Sequence, residues 1–462
     1  MVRRAPVAAA AVAAWGALLL PGCAPVGPNY QRPALAPPAQ FRFAETTAAE
    51  SLADLPWWQV FDDPALQALI RAAISNNLDV RIAVARVDEA RARVGIVRSR
   101  LYPHVDGQAS YGFEQNSANG DLLQGGVYGV GLSWEVDLFG RIRRETESAQ
   151  AQFLATEQAR RGVLVTLVGD VATNYFLLRE IDAQLDTARR TLRNNDDTVE
   201  YFQTRLEGGV SNRLEVDQMR ANRDQTAATI PELERDLAIT EDALSFLLGR
   251  PPGPILRTSL ALAPPAAAAV PPGVPASLLE RRPDVLQAEQ ALVAANADVG
   301  AARALFFPAV SLTGLLGGVS GDLLNLLGGA GGVWQIGASV LQPVYNAGRN
   351  RSTLEAARAQ FNAAVAEYQK AALNAYREVA NALVTIQRLA AVRVERQSAV
   401  TVLEDQADLA RDRYNAGVAT SLEILIADQQ LFQQQLLLSQ TLAAELRARA
   451  DLYRALGGGW QQ

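Results

Sequence analysis

Cysteine and histidine are almost missing from this chain: its 462 residues include one of each, Cys23 and His104, and only two methionines. A disulfide framework needs paired thiols, and a soft-metal or zinc site needs several Cys, His or Met side chains. A Cys/His nucleophile pair needs both partners in one place, and no Gly-x-Ser-x-Gly elbow is present either. The sequence therefore predicts no enzyme, no cofactor and no resident metal. A basic excess is missing as well. The formal net charge is −6, with Lys and Arg scattered among acids along the chain, which argues against nucleic acid as a partner.

Proline is missing where it matters most. From Arg141 to Glu207 there is none, and read as one helix this run would be roughly 100 Å long at about 1.5 Å per residue. A second Pro-free run extends from Arg349 to Ala416. The runs end at Gly208 and Gly417 and superpose at an offset of about 208 positions, so the protein is a duplication. With 49% hydrophobic and 20% charged residues, the chain has ample material for a folded core.

The N-terminus is a separate signal. Arg3 and Arg4 precede an apolar run from Ala5 to Leu20 that is short for a membrane-spanning helix, and Leu20-Pro21-Gly22-Cys23 follows. This reads as a signal peptide over 1–22, and the Leu-x-Gly-Cys end resembles a bacterial lipobox, which implies acylation of Cys23. A Pro- and Ala-rich tether over 23–56 comes next. The first repeat spans 57–250, a Pro- and Ala-rich linker 251–276, and the second repeat 277–458. In the first repeat Asp63 and Pro64 read as N-cap and first residue of a helix, and Pro103 stops the next one. The long helix over 141–208 is followed by a helix over 212–248, interrupted near Pro231. Their counterparts in the second repeat lie at 349–416 and 421–456.

Each repeat switches to a period of two before its long helix. In 103–139, Val105, Ala109, Tyr111 and Phe113, then Tyr128, Val130, Leu132 and Trp134, alternate with small or polar residues such as Asp106, Gln108, Ser110 and Glu135. A second hairpin falls in 308–346, with Leu312, Leu316, Trp334 and Ile336 on its apolar face and Gln335 and Ser339 opposite. The strand lengths suit a tilted bilayer crossing. Four such strands would leave two open edges in lipid, and the smallest membrane barrels have about eight strands, so several chains must share one barrel. Two soluble hairpins capping a helical bundle are the alternative reading.

Together with Cys23, the motifs Val26-Gly27-Pro28-Asn29-Tyr30, Trp57-Trp58 through Asp63-Pro64, Arg281-Arg282-Pro283-Asp284-Val285, Ala294-Ala295-Asn296-Ala297, Phe306-Phe307-Pro308 and the closing Leu452-Tyr453-Arg454-Ala455-Leu456-Gly457-Gly458-Gly459-Trp460 resemble one family. It is the outer membrane factors of tripartite efflux systems, of the TolC and OprM type, in the NodT-like lipoprotein branch. The resemblance implies an α+β membrane protein: a homotrimer with a 12-stranded β-barrel in the outer membrane, four strands per chain, continued by a long periplasmic α-helical barrel. It also implies a passive exit duct for drugs or other small toxic compounds, working with a periplasmic membrane fusion adaptor and an inner-membrane transporter of the resistance-nodulation-division type. Heavy-metal efflux and type I secretion are the alternatives. A structural envelope protein that spans periplasm without conducting is the competitor from another class.

Under this resemblance the adaptor meets the two helix tips, Gly208-Gly209-Val210-Ser211 and Ala416-Gly417-Val418-Ala419-Thr420. Without it, they are simply αα-hairpin turns. Above the second tip the family usually shows Leu-Asp-Ala-Gln, whereas this chain has Ile426 where the Asp would stand. Leu422 and Ile426, at i and i+4, then predict an apolar periplasmic gate with Glu423 or Asp428 as the nearest carboxylate. Packing of both aliphatics between helices is the other possibility.

Overall fold

The computed structural model describes residues 25–44, 54–61, 63–115, 122–257, 273, 275–321 and 331–458. The signal segment, Cys23, most of the interrepeat linker and Trp460 lie outside the described residues. The elements run α1 (Trp57–Val60), α2 (Pro64–Asn76), α3 (Leu78–Ser99), β1 (His104–Gln115), β2 (Leu122–Val136), α4 (Arg141–Glu207) and α5 (Arg213–Leu247). The plan then repeats as α6 (Pro275–Arg281), α7 (Pro283–Ala304), β3 (Ala309–Ser320), β4 (Gly331–Leu341), α8 (Arg349–Asn415) and α9 (Ser421–Ala455). Pro231, expected to interrupt its helix, sits inside an unbroken α5. It is exposed, so water can take the hydrogen bond that its ring removes.

The chain divides into two compact units, each built from three stretches of sequence. The unit formed by 1–35, 85–158 and 287–370 holds the strands. They make one antiparallel sheet in the order β1-β2-β3-β4. The start of α4 is fixed by the residues before it: Gly140 turns the chain at φ +78°, and the Asp137 carboxylate accepts the free N–H groups of Ile142 (3.1 Å) and Arg143 (2.9 Å).

The unit formed by 36–84, 159–286 and 371–462 is helical. Its core joins Trp57, Phe61, Leu66 and Ile70 to Val171, Tyr175 and Leu178 of α4, with Leu244 of α5 and Tyr453 of α9. Asp63 ties this cluster together. Its carboxylate caps α2 by accepting from the N–H of Ala65 (2.9 Å), and it also accepts from the hydroxyl of the fully buried Tyr175 (2.6 Å). Along α8 the buried positions include Ala364, Tyr368, Ala372, Ala375, Val379 and Ala382, a stripe at spacings of three or four that suits close helix contact.

Candidate functional site

The strand register sorts every side chain of the sheet onto one of two faces, because residues paired across a ladder share a face. Trp134 pairs with Leu312, which pairs with Ala338; Val130 pairs with Leu316, which pairs with Trp334. Val105 faces Leu132, and Ala109 faces Tyr128. This face is apolar from edge to edge. Val105, Phe113, Leu316, Trp334 and Ile336 are all exposed on it, which in water would be an unusually large apolar patch and in a bilayer is the expected surface. The opposite face carries Asp106 against Gly131, Ser133 against Thr313, Glu135 against Ser311 and Gln335 against Leu315. The outer edges of β1 and β4 have no partner strand among the described residues. One helix, α4, has an apolar window long enough to cross a membrane, but half of that window is buried in the protein, as for a core helix.

The helix tips lie in the helical unit and are built alike. Gly209 and Gly417 adopt φ of +71° and +74°. Gly209 N–H donates to the Leu206 carbonyl (3.0 Å) and Val210 N–H to the Arg205 carbonyl (2.9 Å). Gly417 repeats the first bond to Tyr414 (2.9 Å), and Val418 the second to Arg413 (3.0 Å). This is the Schellman arrangement, which needs a left-handed residue and therefore favours glycine. Val210 and Val418 are left exposed, at 64% and 66%. Behind them Phe202, Val216, Met219, Tyr414, Ile424 and Ala427 form a small core. The Tyr201 hydroxyl bridges α4 and α8 by donating to Asn415 Oδ1 (3.0 Å) and accepting from Arg205 (3.0 Å).

At the start of α9 the four predicted gate residues separate into three environments. Leu422 and Ile426 stand exposed on one side, at 49% and 42%, while Ile424 and Ala427 between and beside them are buried. Glu423 is partly exposed and faces Arg413 at 3.4 Å. Asp428 is held against α8 by Arg411 at 2.6 Å, its side chain only 10% exposed. Burial raises its carboxyl above the ordinary aspartate range, with Arg411 pulling it down and Asp408 adding to the rise. Among the described residues no three His, Cys, Asp or Glu side chains group as a metal site.

Residues 69–250 and 274–458, the two repeats, match the family described as Outer membrane efflux protein. The chain belongs to this family. It is 36% identical over 455 residues to "Cation efflux system protein CusC" of Escherichia coli O6:H1 (strain CFT073), covering 96% of this chain and 98% of that one. It is 37% identical, over 96% and 97% of the two chains, to "Solvent efflux pump outer membrane protein SrpC" of Pseudomonas putida. Its fold superposes on the outer-membrane channel OprN with a TM-score of 0.88 at 31% identity, covering 95% of this chain and 100% of that one. This outer membrane efflux protein is thus a channel and not an enzyme, and the sheet is its outer-membrane part.

A further feature of this family member went unread in the sequence. Val26-Gly27-Pro28-Asn29-Tyr30 was visible as a motif, but its contacts were not. Residues 25–32 form a strap across the strand-bearing unit: Val26 N–H donates to the Phe139 carbonyl (3.0 Å), Asn296 donates to the Pro28 carbonyl (3.1 Å), and Arg144 donates to Asn29 Oδ1 (3.0 Å). Gly27, at φ +111°, crosses Gly300 so closely that a Cβ on it would lie 2.5 Å from the Gly300 Cα. Arg32 then grips the Glu289 carboxylate with both Nε (2.7 Å) and Nη2, and the Tyr30 hydroxyl donates to it as well (3.2 Å). Burial, reinforced by the Glu289 charge, pushes the Tyr30 phenol above its usual range and keeps it a donor.

Proposed function

We propose that three copies of this chain close one 12-stranded barrel through their β1 and β4 edges and act as the passive exit duct of a tripartite efflux pump. The observation that carries this is the four-stranded sheet with one continuous apolar face, an opposite face that carries the acids and other polar groups, and two edges without a partner strand among the described residues. In lipid the edges must be satisfied, and neighbouring copies offer complementary ones. The acylated Cys23 adds a lipid anchor. Pro25, the first described residue after it, packs on Gly140 at the end of the sheet.

The exposed valines at the two tips, with Gly208, Ser211, Ala416, Ala419 and Thr420 beside them, are the surface offered to a periplasmic membrane fusion adaptor, and an inner-membrane pump of the resistance-nodulation-division type supplies the energy. Leu422 and Ile426, in three copies, form an apolar constriction that restricts the flow of ions by dewetting. Organic solvents are the substrates that identity with the solvent-pump relative favours, and drugs belong to the same reading of small toxic compounds. Export of metal cations is the second reading, carried by the comparable identity with CusC. The test is single-channel recording of Ile426→Asp. Three carboxylates close together repel one another and are costly to dehydrate, so conductance should rise, whereas the repeat-related Gln218→Asp should leave it unchanged. Equal conductance in wild type and Ile426→Asp would place the constriction elsewhere, with Glu423 the next residue to examine.

A further inference from the structure

From Leu101 to Gly140 and from Ala304 to Gly348 the sequence contains no Lys or Arg, although Arg residues flank both stretches and the chain holds 43 Lys and Arg in all. The same stretches contain six acids, Asp106, Glu114, Asp121, Glu135, Asp137 and Asp322, equal in number to the chain's formal net charge of −6. The rest of the protein is therefore formally neutral, and the excess negative charge is confined to the two hairpins. Lipid contact explains why a cation is missing from the apolar face, but it sets no preference between signs on the wet one. The register puts Asp106 and Glu135 on the wet face, opposite Gly131 and Ser311.

These carboxylates are not equivalent. Glu135 is neutralised at the base of the sheet by Arg141, at 2.7 Å. Among the described residues Asp106 has its one charged contact with His104, at 3.2 Å, and both are well exposed. Its cross-strand neighbour is a glycine, so no side chain opposite shields it. We infer that the barrel segment favours cations over anions, that Asp106 sets this preference, and that neutral or cationic compounds are the class it passes most readily. The inference rests on the sheet being the wall of a shared channel. Three carboxylates about 10 Å from the axis, in water and screened over a Debye length of about 8 Å, favour a monovalent cation over an anion by about threefold.

The experiment is the reversal potential of the full-length protein in planar bilayers under a KCl gradient at pH 8. Wild type should pass K+ about threefold better than Cl−, and Asp106→Asn should bring the ratio close to unity at similar conductance. Ser110→Asp, which adds a carboxylate on the same face, should raise the ratio and serves if Asp106→Asn fails to insert. A wild-type ratio near unity, or a ratio unchanged in Asp106→Asn, overturns the inference. So does a ratio that collapses in Glu423→Gln instead, since selectivity would then sit at the tip. Absence of any channel in both wild type and Ile426→Asp, whose constriction is relaxed, would instead overturn the barrel reading beneath it, an outcome distinct from a channel that fails to discriminate.

Discussion

Removing the Arg32 side chain isolates the strap from everything else the N-terminus does. Arg32 is 42% exposed, but the Glu289 side chain it grips is only 10% exposed, with Tyr30 as its other donor. Breaking a fully buried pair costs about 3–5 kcal/mol, and breaking an exposed one about 0–1 kcal/mol. A buried carboxylate that loses a half-exposed guanidinium and keeps one phenol falls between, so Arg32→Ala should cost about 2 kcal/mol. Most of that cost is a charge left without its partner. Adding Glu289→Gln to Arg32→Ala should therefore recover part of it, which denaturant unfolding of the detergent-solubilised protein can measure. Limited proteolysis within 25–44 should accelerate in Arg32→Ala in parallel. A single-variant cost below about 0.5 kcal/mol, with unchanged cleavage, would show that Glu289 finds water and that the strap is held by its backbone bonds alone.

Gly417→Ala should cost about 1 kcal/mol from backbone strain alone, because its φ is positive and nothing lies within 4 Å of the added Cβ. Gly249→Ala should cost clearly more in the same unfolding assay, because its Cβ would run into the Asn76 carbonyl. The raised Asp428 carboxyl means the folded state holds its proton at a pH where the unfolded chain has released it. Its contribution is thus fully present below the ordinary aspartate pKa of about 4 and is lost as pH rises through the higher folded value. Asp428→Asn should remove this slope, so that protease resistance of the second tip no longer weakens between acid and neutral pH. Cys23→Ser should leave a folded protein that no longer incorporates labelled fatty acid, and label persisting in the variant would refute the lipobox reading.

Period and breakers made most of the architecture legible. Two Pro-free runs and two alternating stretches correspond to α4, α8 and the two hairpins, because a period of two and a period of 3.6 demand different backbones. Pro231 misled because a breaker acts through a lost hydrogen bond, and on an exposed face water replaces it. Side-chain pairs far apart in sequence were beyond pattern reading. Nothing local in Arg411 or Asp428 shows that they meet at 2.6 Å, and nothing in Glu289 shows that its partners lie near residue 30. The aliphatic pair Leu422 and Ile426 could be placed on one helix face, but only the fold shows that the chain's own core leaves that face uncovered.

The two repeats keep the same backbone and divide the chemistry between them. Asn77 donates to the last-turn carbonyl of Leu247 (2.9 Å), and about 205 positions later Arg282 donates to that of Ala455 (2.8 Å), reaching Glu378 as well (2.7 Å). The same helix end is closed once by an amide and once by a guanidinium with a second task. At the tips the divergence runs the other way. Asn212 and Glu215 form a reciprocal capping box at the start of α5, whereas Thr420 makes no side-chain cap at the start of α9. Glu423, at the position matching Glu215, turns to Arg413 instead. A missing cap is worth about 1 kcal/mol, so α9 begins on the less firmly fixed of two otherwise matching turns. That helix carries Leu422 and Ile426. Under the proposed gate, the constriction that must open sits on the element whose end is cheaper to shift, the one of the two matching helices that starts without a side-chain cap.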